Sequence, residues 1–155
     1  MASRVIHGRK LTLPGGIKIT NNIGDFTPPK YEKVYVDVPG SFMAQKVHVG
    51  FEASEWQVTI KGEMAAIVNG ALAQGDETVI IYTENGNNKG SRFESEHTMT
   101  GEVSFEYDAS KMREQQTLTL KGQISKHRWV DAGVPITDVD IDNGLYTIGG
   151  KQYNL

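Results

Sequence analysis

Residues Glu55 to Lys61, EWQVTIK, alternate strictly: Trp56, Val58 and Ile60 fall on one side of an extended chain, and Glu55, Gln57, Thr59 and Lys61 on the other. A period of two describes a β-strand with one buried face. An amphipathic helix would repeat its apolar positions every three to four residues. The same parity runs through HTMTGEVSFEY, where Met99, Val103, Phe105 and Tyr107 oppose Thr98, Thr100, Glu102, Ser104 and Glu106. IKIT, VYVDV, KVHVGF, TVIIYT, QQTLTLKGQISKHRWV, TDVDI and LYTI extend the series, most of them bounded by Gly, Pro, Asn or Asp. The pattern predicts roughly eight or nine antiparallel strands.

One stretch departs from this period. In GEMAAIVNGALAQG, Met64, Ile67, Val68 and Leu72 recur at helical spacing, with Glu63 near the amino end and Gly75 placed to cap the other. The spacing predicts a helix over about 63–73. Gly70 costs it roughly 1 kcal/mol relative to Ala, so the helix needs a sheet to pack against. NGNNKGS, residues 85–91, reads as an exposed, mobile loop. The expected fold is mainly β, an antiparallel sandwich or barrel of two sheets with one flanking helix and a long hairpin. No repeat or linker divides the chain, which predicts a single domain over residues 1–155.

Chemistry is harder to find. The chain has no cysteine, hence no thiol nucleophile and no Cys-ligated zinc. His7, His48, His97 and His127 lie in separate segments without an i, i+4 pair, so they read as surface or strand-face residues and not as a metal site. DVDIDNG resembles a calcium loop through Asp138, Asp140 and Asp142, but the sixth and twelfth positions hold Asn143 and Gly149 where Gly and Glu are required. Its alternation with Val139 and Ile141 describes a strand with an acidic face. Ser41 has no G-x-S-x-G frame, and LPGG and TIGGK lack the length of a phosphate loop. Glu52 and Glu55 fit a solvated face better than an acid/base pair. The residues predict no enzyme, no catalytic residue, no cofactor and no metal.

A net charge of −3 without any long basic run disfavours a chain that grips phosphates. The amino-terminal MASRVIHGRKLTLPGG lacks the apolar run of a signal peptide, and no stretch of about 18 apolar residues occurs, which predicts a soluble product made in the cytoplasm. Trp56 and Trp129 fit a core better than a ligand pocket. A monomeric β-barrel that binds small molecules is nevertheless an alternative.

The hairpin KVYVDVPGSFMAQKVHVG carries apolar residues at its tip, Phe42 and Met43, where a solvated turn would be polar. Its strands can each span about 20 Å. Burial of the two side chains is worth roughly 1.5–3 kcal/mol each, so the tip either folds back on its own core or is an interaction surface.

The region FTPPKYEKVYVDVPGSFMAQKVHVGFEASEWQVTIKG resembles the signature region of the major tail tube proteins of contractile-tailed phages and R-type pyocins. Pro29 and Lys30 match its strand start, Gly40 and Met43 its tip, and Gly50, Phe51 and Glu52 its closing strand. HTMTGEVSFEYDASKM and the carboxy-terminal DVDIDNGLYTIGGKQYNL are similar to later strands and the final hairpin of that family. The resemblance implies a structural protein of the virion tail, assembled in the host cytoplasm. Hexameric rings would share one inner β-barrel and stack into a tube inside a contractile sheath, with the sheath, baseplate and terminator proteins as partners and no membrane. DNA would pass through the lumen without specific binding. The implied subunit and ring interface is Val38, Pro39, Gly40, Ser41, Phe42, Met43 and Ala44, with Val34, Val36 and Val38 building the shared barrel. Glu55, Glu102 and Glu106, on the polar parity of the best strands, are expected to face the lumen. The tube of a pyocin or of type VI secretion is the related alternative.

Overall fold

The computed structural model describes residues 4–14, 17–20, 23–40, 42–43, 46–61, 78–107, 109, 112–114 and 116–153. The helix expected over 63–73 lies outside them, and no helix occurs among the described residues. In chain order the strands are β1 (Arg4–Leu13), β2 (Ile17–Ile19), β3 (Ile23–Thr27), β4 (Tyr31–Asp37), β5 (Lys46–Ala53), β6 (Trp56–Lys61) and β7 (Thr78–Asn88). They continue with β8 (Ser91–Gly101), β9 (Val103–Tyr107), β10 (Thr117–Gly122), β11 (Lys126–Asp131), β12 (Val134–Asp140), β13 (Leu145–Ile148) and β14 (Lys151–Tyr153).

Every pairing is antiparallel. Among the described residues a large sheet has the order β14-β13-β12-β11-β8-β7-β1-β2, a small sheet the order β3-β6-β10-β9, and β4 and β5 pair only with each other. The alternation dictates what lies between the two larger sheets. β6 buries Trp56, Val58 and Ile60, and β10 buries Leu118 and Leu120. Across the interface the large sheet buries Leu11, Leu13, Ile80, Tyr82 and Met99, so one apolar layer joins the sheets. The expected two-sheet antiparallel architecture is therefore observed.

The strands of the small sheet all continue elsewhere. β8 leaves the large sheet at Gly101–Glu102 and becomes β9, while the chain returns from β10 to β11 through residues 123–125. The two crossings run side by side, tied by Gln123 N–H to the Glu102 carbonyl at 3.1 Å and Ser125 N–H to the Thr100 carbonyl at 2.7 Å. A Cβ on Gly101 would lie 2.1 Å from the Gln123 carbonyl oxygen, so only glycine admits this close approach. On the other side, β3 runs on past Pro28 and Pro29 into β4, and β5 runs on past Ser54 into β6. β4 and β5 thus form an arm that prolongs the two strands of one hairpin beyond the small sheet.

Several sequence expectations are corrected. The described residues hold more strands than expected because HTMTGEVSFEY and QQTLTLKGQISKHRWV each divide at the corner and because β1, β3 and β14 carry no clean alternation. NGNNKGS is no long loop: β7 and β8 pair to Asn88↔Ser91, and the chain reverses in two residues, Lys89 (φ 50°) and Gly90 (φ 87°). Both central residues in the left-handed region make this the tight reversal whose twist matches the strands. DVDIDNG is strand only to Asp140. Ile141 to Gly144 form a turn in which Asn143 donates its backbone N–H to Asp140 Oδ1 (3.3 Å) and its amide to Oδ2 (2.7 Å).

Candidate assembly surfaces

The arm is the first surface. Its register pairs Tyr31 with Ala53 and Asp37 with Lys46, with an irregularity between Val34 and Tyr35. Val34, Tyr35 and Val36 are exposed although they are apolar and strand-forming. At the tip Val38 is half-buried, Pro39 and Gly40 form an exposed turn with Gly40 at φ 82°, and Ser41 and Ala44 lie outside the described residues. Phe42 is fully exposed at 106% and Met43 at 78%. In the single chain the tip does not fold back on its own core. Two adjacent large apolar side chains left in water at the tip of an arm make it a candidate interaction surface.

The arm's root is anchored to the body. Ser54 N–H donates to the Lys30 carbonyl (2.9 Å), and Lys30 N–H donates to Ser54 Oγ (2.9 Å), closing the base of the hairpin. Phe51 meets the Tyr153 ring edge-on at 4.7 Å. Tyr31 places its hydroxyl 2.5 Å from His127 Nδ1, and His127 Nε2 lies 3.1 Å from His97 Nδ1. The two imidazoles stack at 5.4 Å, and His97 stacks on Trp129 at 4.9 Å, whose indole N–H donates to Ser95 Oγ (2.9 Å). Both histidines are buried on strand faces, so of the two readings, surface or strand face, the second holds for this pair. Burial lowers the pKa of each below 6.5, and His97 lowers that of His127 further. Pairwise spacing along the sequence could not reveal this cluster. The available signal was parity, since His97 shares the inward face with Met99.

The outward face of the small sheet is the second surface. Gln57 and Lys61 on β6, Thr117, Thr119 and Lys121 on β10, and Ser104 and Glu106 on β9 share it by register. Hydroxyls and amides dominate, and Lys121 Nζ lies 3.2 Å from Glu106 Oε2. Glu55, Glu102 and Glu106 are all exposed at this sheet. Glu55 and Glu102 border a polar depression of about 150 Å³ with Ser104, Lys121 and Gln123, and Glu106 stands along β9 from it. β3 and β9 form the two edges of the sheet.

A further cavity of about 250 Å³ opens between Phe26, Phe93, His97 and Trp129, with Arg4 and Glu84 at its rim. Arg4 is engaged by Asp131 at 2.5 and 3.2 Å and covers the Phe93 ring at 3.9 Å. Glu84 accepts from the Tyr82 hydroxyl at 2.7 Å. At this size the cavity sits below the range of about 300–1,000 Å³ usual for small-molecule sites. It therefore gives no specific support to a ligand-binding barrel. Trp56 is wholly buried in the core, and Trp129 lines this cavity. Among the described residues, no three His, Cys, Asp or Glu side chains converge where they could hold a metal ion.

The described residues thus form a two-sheet body with a polar outward face and an arm with an exposed apolar tip. Comparison with curated proteins returns no match. A family model described as phage tail tube protein FII matches residues 13–154, which includes the arm, the corner and the final hairpin. By that match across nearly its whole length, the chain belongs to the phage tail tube protein FII family.

Proposed function

We propose that this chain is the major tail tube subunit of a contractile tail, assembling into hexameric rings that stack into the inner tube through which DNA reaches the host. The exposed apolar tip of the arm carries the reading. Burial of Phe42 and Met43 against neighbouring subunits contributes roughly 1.5–3 kcal/mol each, repeated at every subunit of a closed ring and an open stack. The small sheet suits the inner barrel: pairing of β3 of one subunit with β9 of the next covers both edges, and a closed barrel leaves none exposed. Its outward face then lines the lumen, where the carboxylates of Glu55, Glu102 and Glu106 repel the DNA backbone and the neutral threonines and glutamine supply no charge to hold it. The sheath, baseplate and terminator proteins are the partners of such a tube, in a virion tail assembled in the host cytoplasm. A pyocin or type VI tube subunit would use the same surfaces.

The test is electron microscopy of the concentrated protein beside the double variant Phe42→Asp, Met43→Asp. Wild type forms rings or tubes, and the variant stays a folded monomer with unchanged near-ultraviolet circular dichroism. A wild type that is monomeric at every concentration overturns the proposal. An unfolded double variant returns the tip to a role in its own fold.

A further inference from the structure

Among the described residues β4 and β5 share a sheet with no other strand, and the root of the arm carries specific contacts to the body. The most specific is the buried chain Tyr31–His127–His97. Its ring nitrogens have a simple proton count. When Tyr31 donates to His127 Nδ1, His127 carries its hydrogen on Nε2 and donates to His97 Nδ1, and both contacts are made with neutral rings. The reversed pair of tautomers also serves, with Tyr31 accepting. A first added proton leaves a cation buried among Phe26, Trp129 and Tyr31. A second sets one N–H against another at the 3.1 Å contact, and the link fails.

Among the described residues the two carboxylates beside this cluster already have partners, Asp131 an arginine that neutralises it and Glu84 a hydroxyl that leaves its charge in place. Asp131 on β11 favours a charge on His97, but it is already bound by Arg4 of β1. Glu84 on β7 accepts from Tyr82 of the same strand. The strand β3 presents Phe26, and β12 presents Thr137 and Val139, none of which titrates. Beyond them lie Tyr146 of β13, paired with Val139, and Tyr153 of β14, whose ring faces Lys151.

We propose that Tyr31, His127 and His97 form an acid-sensitive latch: while the imidazoles are neutral it fixes the arm to the large sheet, and their protonation frees the arm while the sandwich stays folded. The sign follows from burial. An imidazole that loses the cover of Tyr31 takes a proton more readily, with the free value of 6.5 as the upper limit, whereas burial holds the latched pair lower, to about 4 for His97 and about 3 for His127. Closure is therefore fully favoured above pH 6.5 and is lost progressively as pH falls from there toward 3. The latch is a property of one chain and does not depend on assembly.

Hydrogen exchange of the full chain, kept dilute, measures it directly. Between pH 7 and pH 4 the protection factors of the β4 and β5 amides fall about tenfold or more, reversibly, while those of β7 and β8 are retained. Tyr31→Phe leaves the arm weakly protected at both pH values with no step, because the pair still titrates but no longer touches the arm. His127→Gln also removes the step, because the titrating pair is gone. The latch is refuted if wild-type arm protection is unchanged, if arm and large sheet lose protection together, or if the step survives in either variant.

Discussion

Gly122 stands opposite Trp56 in the small sheet, and a Cβ there would lie 2.5 Å from the indole ring. The largest side chain of the core thus lies against a backbone that must carry no side chain. Gly122→Ala forces the indole from its rotamer and costs about 1–3 kcal/mol, lowering the melting temperature by about 2–4 °C for each kcal/mol. Gly50→Ala is the matched control. Nothing lies within 4 Å of its added methyl, and its change stays within about 0.5 kcal/mol. Thermal denaturation of the two variants separates close packing from a general effect of losing glycine. The parity of EWQVTIK announced that Trp56 is buried, but its glycine neighbour follows only from the register.

At the scale of elements, the reversal between β7 and β8 joins the two longest strands among the described residues. Lys89 sits there at φ 50°, a conformation that a lysine adopts at a cost and an asparagine tolerates. Lys89→Asn is expected to stabilise the fold by about 0.5 kcal/mol, read as a higher urea midpoint at unchanged slope. By composition NGNNKGS is a loop, rich in turn-forming residues. Pairing across the sheet overrides that composition, since Asn85 to Asn88 find partners in Ser91 to Glu94. The arm shows the opposite relation. Its two strands were visible in VYVDV and KVHVGF, but their departure from the small sheet depends on breaks at Pro28, Pro29 and Ser54 whose outcome local sequence does not decide.

For the whole molecule, charge is distributed by face. The outward side of the small sheet carries Glu55, Glu102 and Glu106 against Lys61 and Lys121 among threonines, so it is weakly acidic and well hydrated. If this face lines a tube, changing all three glutamates to lysine makes assembled tubes retain duplex DNA at about 50 mM salt and release it by about 200 mM, as measured by filter binding. Wild-type tubes retain none. Equal DNA retention by the two proteins would remove this sheet from the lumen. Loss of the exposed Glu106–Lys121 pair costs under about 1 kcal/mol, so folding is not at issue.

Period-two alternation by itself determined that the chain is an antiparallel β protein with Trp56, Val58, Ile60 and Met99 inside, because side-chain direction in a strand is a local property. An apolar tip on a long hairpin likewise marked Phe42 and Met43 before any contact was known. Tertiary structure alone decided that HTMTGEVSFEY and QQTLTLKGQISKHRWV each bend between two sheets, since the bend exists only where the two crossings hydrogen-bond to each other. It also brought together His97, His127 and Tyr31, which lie far apart in sequence, because cross-strand register places side chains by the pairing of whole strands.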